Sequence, residues 1–171
     1  KIPLKHDHAV IQNMRLFEKW LPNTKQQDLI NQFEVHDSDK AYINGYLNEW
    51  GIKKNKPIIC IHPGTGTAVK HWLDAGWAQI ADILTEQLDA LVIFTGSEKE
   101  SSLVRRIMSL MKQPAIMMAG DTNVGQLAAL FQRAKVVLGP DSGPLHLAAA
   151  VQTPTVTLFG PADPIEFGPW K

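Results

Sequence analysis

Residues 57–62 read PIICIH, an apolar run of strand length that a glycine-rich loop follows at once. A short continuous run of this kind, bounded by turn signals, is typical of a strand buried on both faces, as in a parallel sheet. The next residues, 63–70, read PGTGTAVK, and a helical pattern begins at Asp74. Strand, glycine-rich loop and helix in this order predict one unit of an α/β fold.

The same alternation continues to the end of the chain. Further apolar runs at 90–95, 115–119, 136–139 and 155–159 each predict a strand. Between them, apolar residues recur at helical spacing. These residues are Trp77, Ile80, Ala81, Leu84 and Leu88 after a cap at Asp74, then Leu103, Val104, Ile107, Met108 and Met111, then Val124, Leu127, Ala128 and Phe131 after a cap at Thr122, with a short helix at 144–150. The sequence therefore predicts an α/β domain with a doubly wound, Rossmann-like parallel sheet.

Residues 1–56 have a different character. Val10, Met14 and Phe17 recur at helical spacing, and Leu21-Pro22 is expected to end that helix. Residues 33–36, FEVH, predict a short strand.

A second helix is predicted after a cap at Asp37 or Ser38, with Gly51 as its stop. Its apolar face would carry Tyr42, Ile43, Tyr46, Leu47 and Trp50.

Composition excludes several classes of protein. The 171 residues contain 17 Lys and Arg against 17 Asp and Glu, so the zero formal charge gives no support for non-specific nucleic-acid binding. No apolar stretch approaches the roughly 20 residues that a membrane-spanning helix needs. Cys60 is the single cysteine, which excludes an internal disulfide and predicts a buried thiol in a reducing compartment.

Polar, glycine-rich segments fall where three of the predicted strands end. They are residues 62–67, 96–100 and 139–144. In doubly wound sheets, ligands bind beyond the carboxyl ends of the strands. The sequence therefore predicts that the polar and charged residues of these segments lie together at one edge of the sheet.

The first loop contains Thr65, Gly66, Thr67 and Lys70. Glycine allows a phosphate to approach the backbone, the threonine hydroxyls can donate, and the lysine adds a positive charge. The spacing matches neither G-x-x-x-x-G-K-[ST] nor G-x-G-x-x-G, because Val69 stands where the last glycine of the second pattern would be. The residues alone leave open an ordinary strand-to-helix turn with a solvated lysine.

The loop with Asp141, Ser142 and Gly143 opens the predicted helix that carries His146. The amino terminus of a helix favours an anion, so a diphosphate would fit there. Asp141 would repel a diphosphate and is expected to accept N–H bonds or to orient the loop. The alternatives are a plain helix cap for Asp141 and a surface histidine for His146.

Glu100 follows the second predicted strand, where a carboxylate can accept two hydrogen bonds from a ribose diol. The alternative is an acid that complements a helix dipole, and this interpretation is favoured for Glu98. His62 and His71 flank the first loop, but no Cys, His and Asp cluster has metal-ligand spacing, so no metal site is predicted.

Four segments together resemble glycosyltransferase family nine, the lipopolysaccharide heptosyltransferases and their relatives. Residues 139–150, GPDSGPLHLAAA, resemble the family motif D-[ST]-G-x-x-H-x-A-A. Residues 61–66 with 70–72 resemble its h-P-G loop and later K-x-W, and residues 159–164, FGPADP, resemble its F-G-P-T-D-P loop. Residues 92–96 with Glu100 resemble its strand that ends in Thr-Gly with an acid four residues on.

The resemblance implies an inverting transferase of the GT-B type with two Rossmann-like domains, in which the carboxy-terminal domain binds the nucleotide sugar. It also implies transfer without a metal or cofactor, with ADP-heptose as the typical donor substrate and a lipopolysaccharide core or lipid-linked acceptor. By position, the diphosphate would contact Lys70 with Thr65 or Thr67, the ribose would contact Glu100, and the diphosphate and sugar would be lined by Asp141, Ser142, Gly143 and His146. Lys70 and Asp141 are the catalytic candidates of this chain.

The domain expectation follows from the same resemblance. Residues 57–171 would be the nucleotide-sugar-binding domain, and residues 1–56 a linker with helices leading from a missing acceptor domain, which would hold the general base. The chain begins with Lys1 and stops at Trp170-Lys171 after a Gly- and Pro-rich stretch, so we expect a fragment that is inactive alone. A cytoplasmic enzyme with peripheral contact at the inner membrane is expected.

Two alternatives to the transferase remain. One is a nucleotide-sugar epimerase of the same architecture, and the other is a non-catalytic nucleotide-sugar-binding module. A nicotinamide dehydrogenase is disfavoured, because a complete G-x-G-x-x-G is absent from the sequence.

Overall fold

The computed structural model describes residues 7–20, 23, 25, 29–52 and 56–170. Five parallel strands form one sheet in the order β3-β2-β1-β4-β5. The strands are β1 (Ile58–Ile61), β2 (Leu91–Gly96), β3 (Ile116–Ala119), β4 (Val136–Pro140) and β5 (Thr155–Leu158). The helices are α1 (Ala9–Arg15), α2 (Asp37–Glu49), α3 (Asp74–Leu88), α4 (Ser101–Ser109), α5 (Val124–Arg133), α6 (Gly143–Ala150) and α7 (Pro164–Phe167). The predicted Rossmann-like α/β architecture is confirmed.

The strand order reverses between β1 and β4. Ile59 of β1 lies opposite Val92 of β2 on one side and opposite Val136 of β4 on the other. Helices α3 and α4 cover one face of the sheet, whereas α2, α5 and α6 cover the opposite face. Such a reversal leaves a crevice at the carboxyl ends of the two strands, where doubly wound folds bind their ligands.

The two covered faces explain why the strands are continuously apolar. Side chains of a strand alternate between the two faces of its sheet. Ile59 and Ile61 pack with α3 and α4, whereas Ile58 and Cys60 pack with α2, α5 and α6. The Cys60 thiol is fully buried as predicted, and this burial raises its pKa above the ordinary value.

Helix α2 belongs to the packed layer of the second face. Its Ile43 and Leu47 are buried in the core with α5, as the sequence predicted. Gly51 ends the helix with φ +65°, and its N–H donates to the Asn48 carbonyl. The N–H of Ile52, the next residue, donates to the Leu47 carbonyl. These two hydrogen bonds together form a Schellman motif.

Some predicted local structure is wrong. Residues 33–36 do not form a strand, although they are described; the Phe33 N–H instead donates to the Ala150 carbonyl at 3.2 Å, so this segment covers α6. The cap of α5 is Asn123 and not Thr122. Asn123 exchanges hydrogen bonds with Gln126, side chain to backbone in both directions, and this capping box outcompetes a single threonine.

Two predicted helix caps are also wrong, because Asp37 and Asp74 are the first residues of their helices, which have His36 and Leu73 as N-caps.

Several predicted apolar faces are narrower than the sequence suggests. The predicted core positions that are exposed are Phe17, Tyr42, Trp50, Leu88 and Val124. Trp50, Leu88 and Val124 lie at the ends of their helices, and Phe17 lies beyond the end of α1. The predicted helix end at Leu21-Pro22 lies outside the described residues, and α1 itself ends at Arg15.

Among the helices of the described residues, none combines the length and the apolar character that a membrane crossing requires.

Candidate functional site

The crevice is built by the ends of β1 and β4. The His62 N–H donates to the Leu138 carbonyl at 2.8 Å, so the loop after β1 starts directly beside β4. A Cβ added to Gly139 would lie 2.6 Å from the His62 carbonyl oxygen. Only glycine permits so close an approach, and the two glycine-rich loops are thereby brought side by side.

Lys70, Asp141 and His146 form a charged cluster at this crevice. The Lys70 Nζ donates to Asp141 Oδ2 at 2.6 Å, and His146 Nε2 lies 3.8 Å from Asp141 Oδ1. The Asp141 side chain is buried, whereas the other two side chains are partly exposed. The buried carboxylate therefore holds the Lys70 ammonium by a hydrogen bond, and His146 lies beside the same carboxylate.

Local structure explains why these residues meet. Lys70 ends a short 3₁₀ turn in the loop after β1. Asp141 directly follows β4, and its N–H donates to the Leu158 carbonyl of β5 at 3.0 Å. His146 lies in the first half of α6. The strand-order reversal thus joins two loops that are far apart in the sequence.

Helix α6 begins at the same crevice. Ser142 is its N-cap residue, but the Ser142 hydroxyl turns away and donates to the Pro140 carbonyl at 3.1 Å. Pro144 occupies the first turn, where its missing N–H costs nothing. The Leu145 N–H donates to the Ser142 carbonyl at 3.1 Å, so an anion would be favoured here by the Gly143 N–H and by the helix dipole. The Lys70 ammonium adds positive charge in the same region, so the arrangement suits a phosphate.

A cavity of about 840 Å³ opens beside the charged cluster, and we call it the Lys70 cavity. Its other walls are α1, residues 29–31, α7 and Trp170. These walls are tied together, because His8 Nε2 lies 2.7 Å from the Gly168 carbonyl oxygen and the Trp170 indole N–H donates to the Leu29 carbonyl at 2.6 Å. The cavity therefore depends on contacts between distant parts of the chain.

A smaller cavity of about 310 Å³ lies on the other side of the loop that carries Ser142 and Gly143, and we call it the Glu100 cavity. It is lined by the residues that follow β1, β2 and β4 and by the start of α5. Thr65 and Gly66 belong to its wall. Thr67 is exposed, and its carbonyl accepts the Lys70 N–H at 3.0 Å. Of the two threonines, Thr65 therefore has the better position to contact a ligand in this cavity.

The Glu100 carboxylate is held in place within its cavity. Its Oε2 accepts the Ser97 backbone N–H at 2.7 Å and the Ser97 hydroxyl at 2.8 Å. A Cβ added to Gly64 would overlap the carboxylate, so the glycine makes room for it. Burial alone would raise the Glu100 pKa, but the two Ser97 hydrogen bonds, with His62 and His71 nearby, hold that pKa below its ordinary value. Glu100 is therefore an ionised acceptor.

His62 is the residue that the sequence interpretation missed. Only 5% of its surface is exposed, and its Nδ1 lies 3.0 Å from the Thr95 hydroxyl. Burial lowers the His62 pKa from 6.5 to about 4, although the neighbouring Glu100 acts in the opposite direction. A polar residue at the end of a buried strand was the available signal, since such a side chain needs a buried partner.

Within the part of the chain that the structure describes, no group of three His, Cys, Asp or Glu side chains could hold a metal ion. The positive charge of the site comes from Lys70 and the amino terminus of α6.

The family model described as glycosyltransferase family 9 (heptosyltransferase) matches residues 1–171. The lipopolysaccharide core heptosyltransferase OpsX of Haemophilus influenzae is 36% identical over 122 residues, which cover 70% of this chain and 35% of that protein. Lipopolysaccharide heptosyltransferase 2 of Escherichia coli is 31% identical over 139 residues, which cover 78% of this chain and 38% of that protein. The chain thus spans little more than a third of the length of these relatives.

Solved structures agree with this match. The glycosyl transferase family 9 protein of Veillonella parvula superposes with a TM-score of 0.90 at 23% identity, covering 100% of this chain and 49% of that one, which shows the fold. The ADP-heptose lipopolysaccharide heptosyltransferase II of Escherichia coli gives a TM-score of 0.74 at 27% identity, covering 86% of this chain and 45% of that one. With a family model matched over its whole length and a fold shared with these structures, the chain belongs to glycosyltransferase family 9, the heptosyltransferase family.

Proposed function

We propose that this chain is the donor-binding part of a glycosyltransferase that moves a heptose from ADP-heptose to a lipopolysaccharide core acceptor. The observation that carries the proposal is the Lys70 ammonium, 2.6 Å from the buried Asp141 carboxylate and beside the start of α6. A cation and a helix amino terminus at the strand-order reversal suit a diphosphate leaving group. The names of the relatives, which are lipopolysaccharide heptosyltransferases, support the sugar and the acceptor.

In this proposal the donor lies across both cavities. The nucleoside occupies the Glu100 cavity, where the carboxylate accepts the ribose hydroxyls. The diphosphate crosses the loops that contain Thr65 and Ser142–Gly143, and the sugar faces the Lys70 cavity. A nucleoside is of suitable size for about 310 Å³, and the larger cavity of about 840 Å³ has room for a heptose and an incoming hydroxyl.

Lys70 and Asp141 have different roles in the transfer. As the bond between the anomeric carbon and the diphosphate breaks, negative charge develops on the leaving phosphate. Lys70, the amides at the start of α6 and the helix dipole stabilise that charge without a metal. Asp141 would repel the phosphate directly, so it acts by aiming the Lys70 ammonium and the His146 ring. His146 then donates toward the phosphate or the sugar.

We assign residues 57–171 to the nucleotide-sugar-binding domain and residues 1–56 to a linker with helices that lead from the acceptor domain, of which α2 packs onto the core of the nucleotide-sugar-binding domain. In this assignment the acceptor domain of the complete enzyme supplies the general base that deprotonates the acceptor hydroxyl. We further propose a cytoplasmic enzyme that meets its acceptor at the inner membrane surface. The share of the relatives that this chain spans, 35% and 38%, supports an additional domain.

Isothermal titration of this chain with ADP, ADP-heptose, UDP and NAD, first without metal and then with magnesium, tests the proposal. We expect metal-independent binding of ADP and ADP-heptose, weakened by Lys70→Ala and by Asp141→Ala. Preferential binding of UDP would mean that the donor is a UDP-sugar and not ADP-heptose. Preferential binding of NAD would contradict the proposed transferase activity. An epimerase would convert the nucleotide sugar without an acceptor, which chromatography of an incubation lacking acceptor detects.

A further inference from the structure

His62 lies between the sheet and the Glu100 cavity, with one ring nitrogen facing each side. Its Nδ1 lies 3.0 Å from the hydroxyl oxygen of Thr95, a residue of β2 with no exposed surface. Its Nε2 lies 3.9 Å from Glu100 Oε2, and His62 is itself part of the cavity wall. The ring therefore connects a buried hydroxyl to the carboxylate of the cavity.

The charges around the ring select one tautomer. A neutral imidazole carries a proton on one nitrogen and a lone pair on the other. A lone pair on Nε2 would face the ionised Glu100 carboxylate, which is unfavourable, whereas an Nε2–H would point toward it. The Nδ1 lone pair then accepts the Thr95 hydroxyl, whose proton can rotate to suit. The favoured arrangement is a donor chain from Thr95 through His62 toward Glu100.

Ser97 and Gly64 also restrain the Glu100 carboxylate, but neither does so from the side of the sheet. Ser97 donates twice to Oε2, and Gly64 lies against the carboxylate without filling the space. Ser97 restrains the carboxylate from its own loop, and Gly64 restrains it from the loop after β1. His62 approaches from the sheet, so the ring limits how far the carboxylate can turn away from the cavity.

We propose that His62 is a positioning residue that aims the Glu100 carboxylate at the two hydroxyls of the nucleoside ribose, with the Thr95 hydroxyl holding the ring through Nδ1. The inference rests on the proposed function for the identity of the ligand, and on the geometry for the donor chain. Ser97 donates to Oε2 and His62 Nε2 faces the same oxygen at 3.9 Å, which leaves the lone pairs of Oε1 to accept the ribose diol. His62 itself makes no contact with the substrate.

The donor chain can be tested without any nucleotide. In ¹⁵N-labelled protein at pH 7, the His62 ring is expected to show a protonated Nε2 and an unprotonated Nδ1. Thr95→Val removes the hydrogen bond to Nδ1 and is expected to shift the Nδ1 resonance while Nε2 stays protonated, whereas Thr95→Ser retains the hydroxyl and the wild-type pattern. A wild-type ring protonated on Nδ1, or an unchanged pattern in Thr95→Val, would overturn the inference.

The positioning role is tested by comparing ADP with its 2′,3′-dideoxy analogue in titrations of this chain. His62→Asn places no donor near the Nε2 position and is expected to weaken ADP about two- to fivefold, the size of a weak electrostatic contact at 3.9 Å, while the dideoxy analogue changes little. His62→Gln carries an amide N–H near that position and is expected to stay close to the wild-type affinity for ADP.

The outcomes separate the two proposals. Equal weakening of ADP and the dideoxy analogue by His62→Asn, in a variant with a wild-type melting temperature, would assign His62 a purely structural role. Absence of ADP binding by the wild-type chain, with the Nε2–H tautomer in place, would overturn the proposed function and the ribose assignment while leaving the donor chain established. If His62→Asn does not fold, the ring spectra of the wild type and of the Thr95 pair still decide the donor chain.

Discussion

The Glu100 cavity and the Lys70 cavity share the loop of residues 141–143 but are built in different ways. The smaller one is walled by strand ends and by the start of one helix, and its carboxylate is held by Ser97. The larger one is walled mainly by α1, α7 and Trp170, and the sheet contributes only its charged edge. The sheet itself forms the first, whereas the second depends on contacts between distant segments.

The difference matches the two tasks in the proposed reaction. Recognition of a nucleoside needs donors and acceptors at fixed positions, which strand ends provide. Transfer of a sugar needs room for two substrates and an opening through which they enter, which the larger cavity provides. The charged cluster of Lys70, Asp141 and His146 lines the larger cavity next to the shared loop, which the diphosphate would cross.

The largest expected effect comes from the cluster between the cavities. Lys70→Ala removes the ammonium that would stabilise the leaving diphosphate. In the complete enzyme, turnover is expected to fall about 100- to 1000-fold, the usual effect of losing one electrostatic stabiliser. Lys56→Ala is the matched control, because Lys56 pairs with Asp89 before β1, at the opposite end of the sheet. Unchanged steady-state kinetics for Lys70→Ala would remove it from the mechanism.

The next effect concerns the smaller cavity and appears as a dependence of stability on pH. The folded-state pKa of His62 is about 4, below its ordinary 6.5, so the unfolded chain takes up the proton first as the pH falls. The stability from this group is complete above pH 6.5 and decreases toward pH 4. The loss is expected to reach about 3 kcal/mol, at about 1.4 kcal/mol for each pH unit.

Urea unfolding between pH 7 and pH 4 measures this loss. His62→Gln is expected to flatten the slope in that range, whereas the exposed His36→Gln is expected to retain it. An identical slope in all three proteins would show that His62 is not the group responsible. The lowered pKa of Glu100 adds a further loss of the same sign below its ordinary 4.5.

The third test disturbs the junction from which both cavities open. Gly139→Ala would bring a Cβ within 2.6 Å of the His62 carbonyl oxygen and within 2.5 Å of Leu145 Cδ2. Overpacking of this kind is expected to lower the free energy of unfolding by about 1–3 kcal/mol. Gly45→Ala, on the exposed side of α2 with open space around it, is expected to raise that energy by about 0.5–1 kcal/mol. Two changes of the same sign would contradict the packing explanation.

The smallest effect should be confined to the Glu100 cavity. Gly64→Ala would displace the carboxylate, which is the movable end of a side chain, so the melting temperature should change little. ADP affinity is expected to fall about tenfold, as for a lost hydrogen bond. Gly45→Ala, on α2 and outside the cavity lining, has open space at its Cβ and is expected to bind ADP as the wild type does. Equal affinities of the two variants in titration would show that the carboxylate position does not matter.

The sequence predicted the fold well because its strands are buried on both faces. Unbroken runs such as residues 57–62 have few alternatives, and each run lies on a strand in the structure. Helix ends were less certain. Several residues near Asn123 can act as a cap, and only the reciprocal bond with Gln126 selects among them.

The site was predicted in part. Loops at the carboxyl ends of the strands pointed to Lys70, Asp141 and His146, and the structure brings these three together. The role of His62 was missed, because its meaning depends on Thr95 and Glu100, which no spacing in the sequence connects to it. The walls of the Lys70 cavity were missed for the same reason, since His8 and Gly168 meet only through the tertiary fold.

The pairing of β1 with β4 also has a consequence for synthesis of the protein. Ile59 and Val136 lie in neighbouring strands, so one edge of β1 stays without its partner until the ribosome has added the intervening residues. At 5–20 residues per second this takes roughly 4 to 15 s. During that time an apolar strand edge is open to other nascent chains. Since the crevice forms only when β4 docks, a ligand present in the cell can stabilise the domain only after that step.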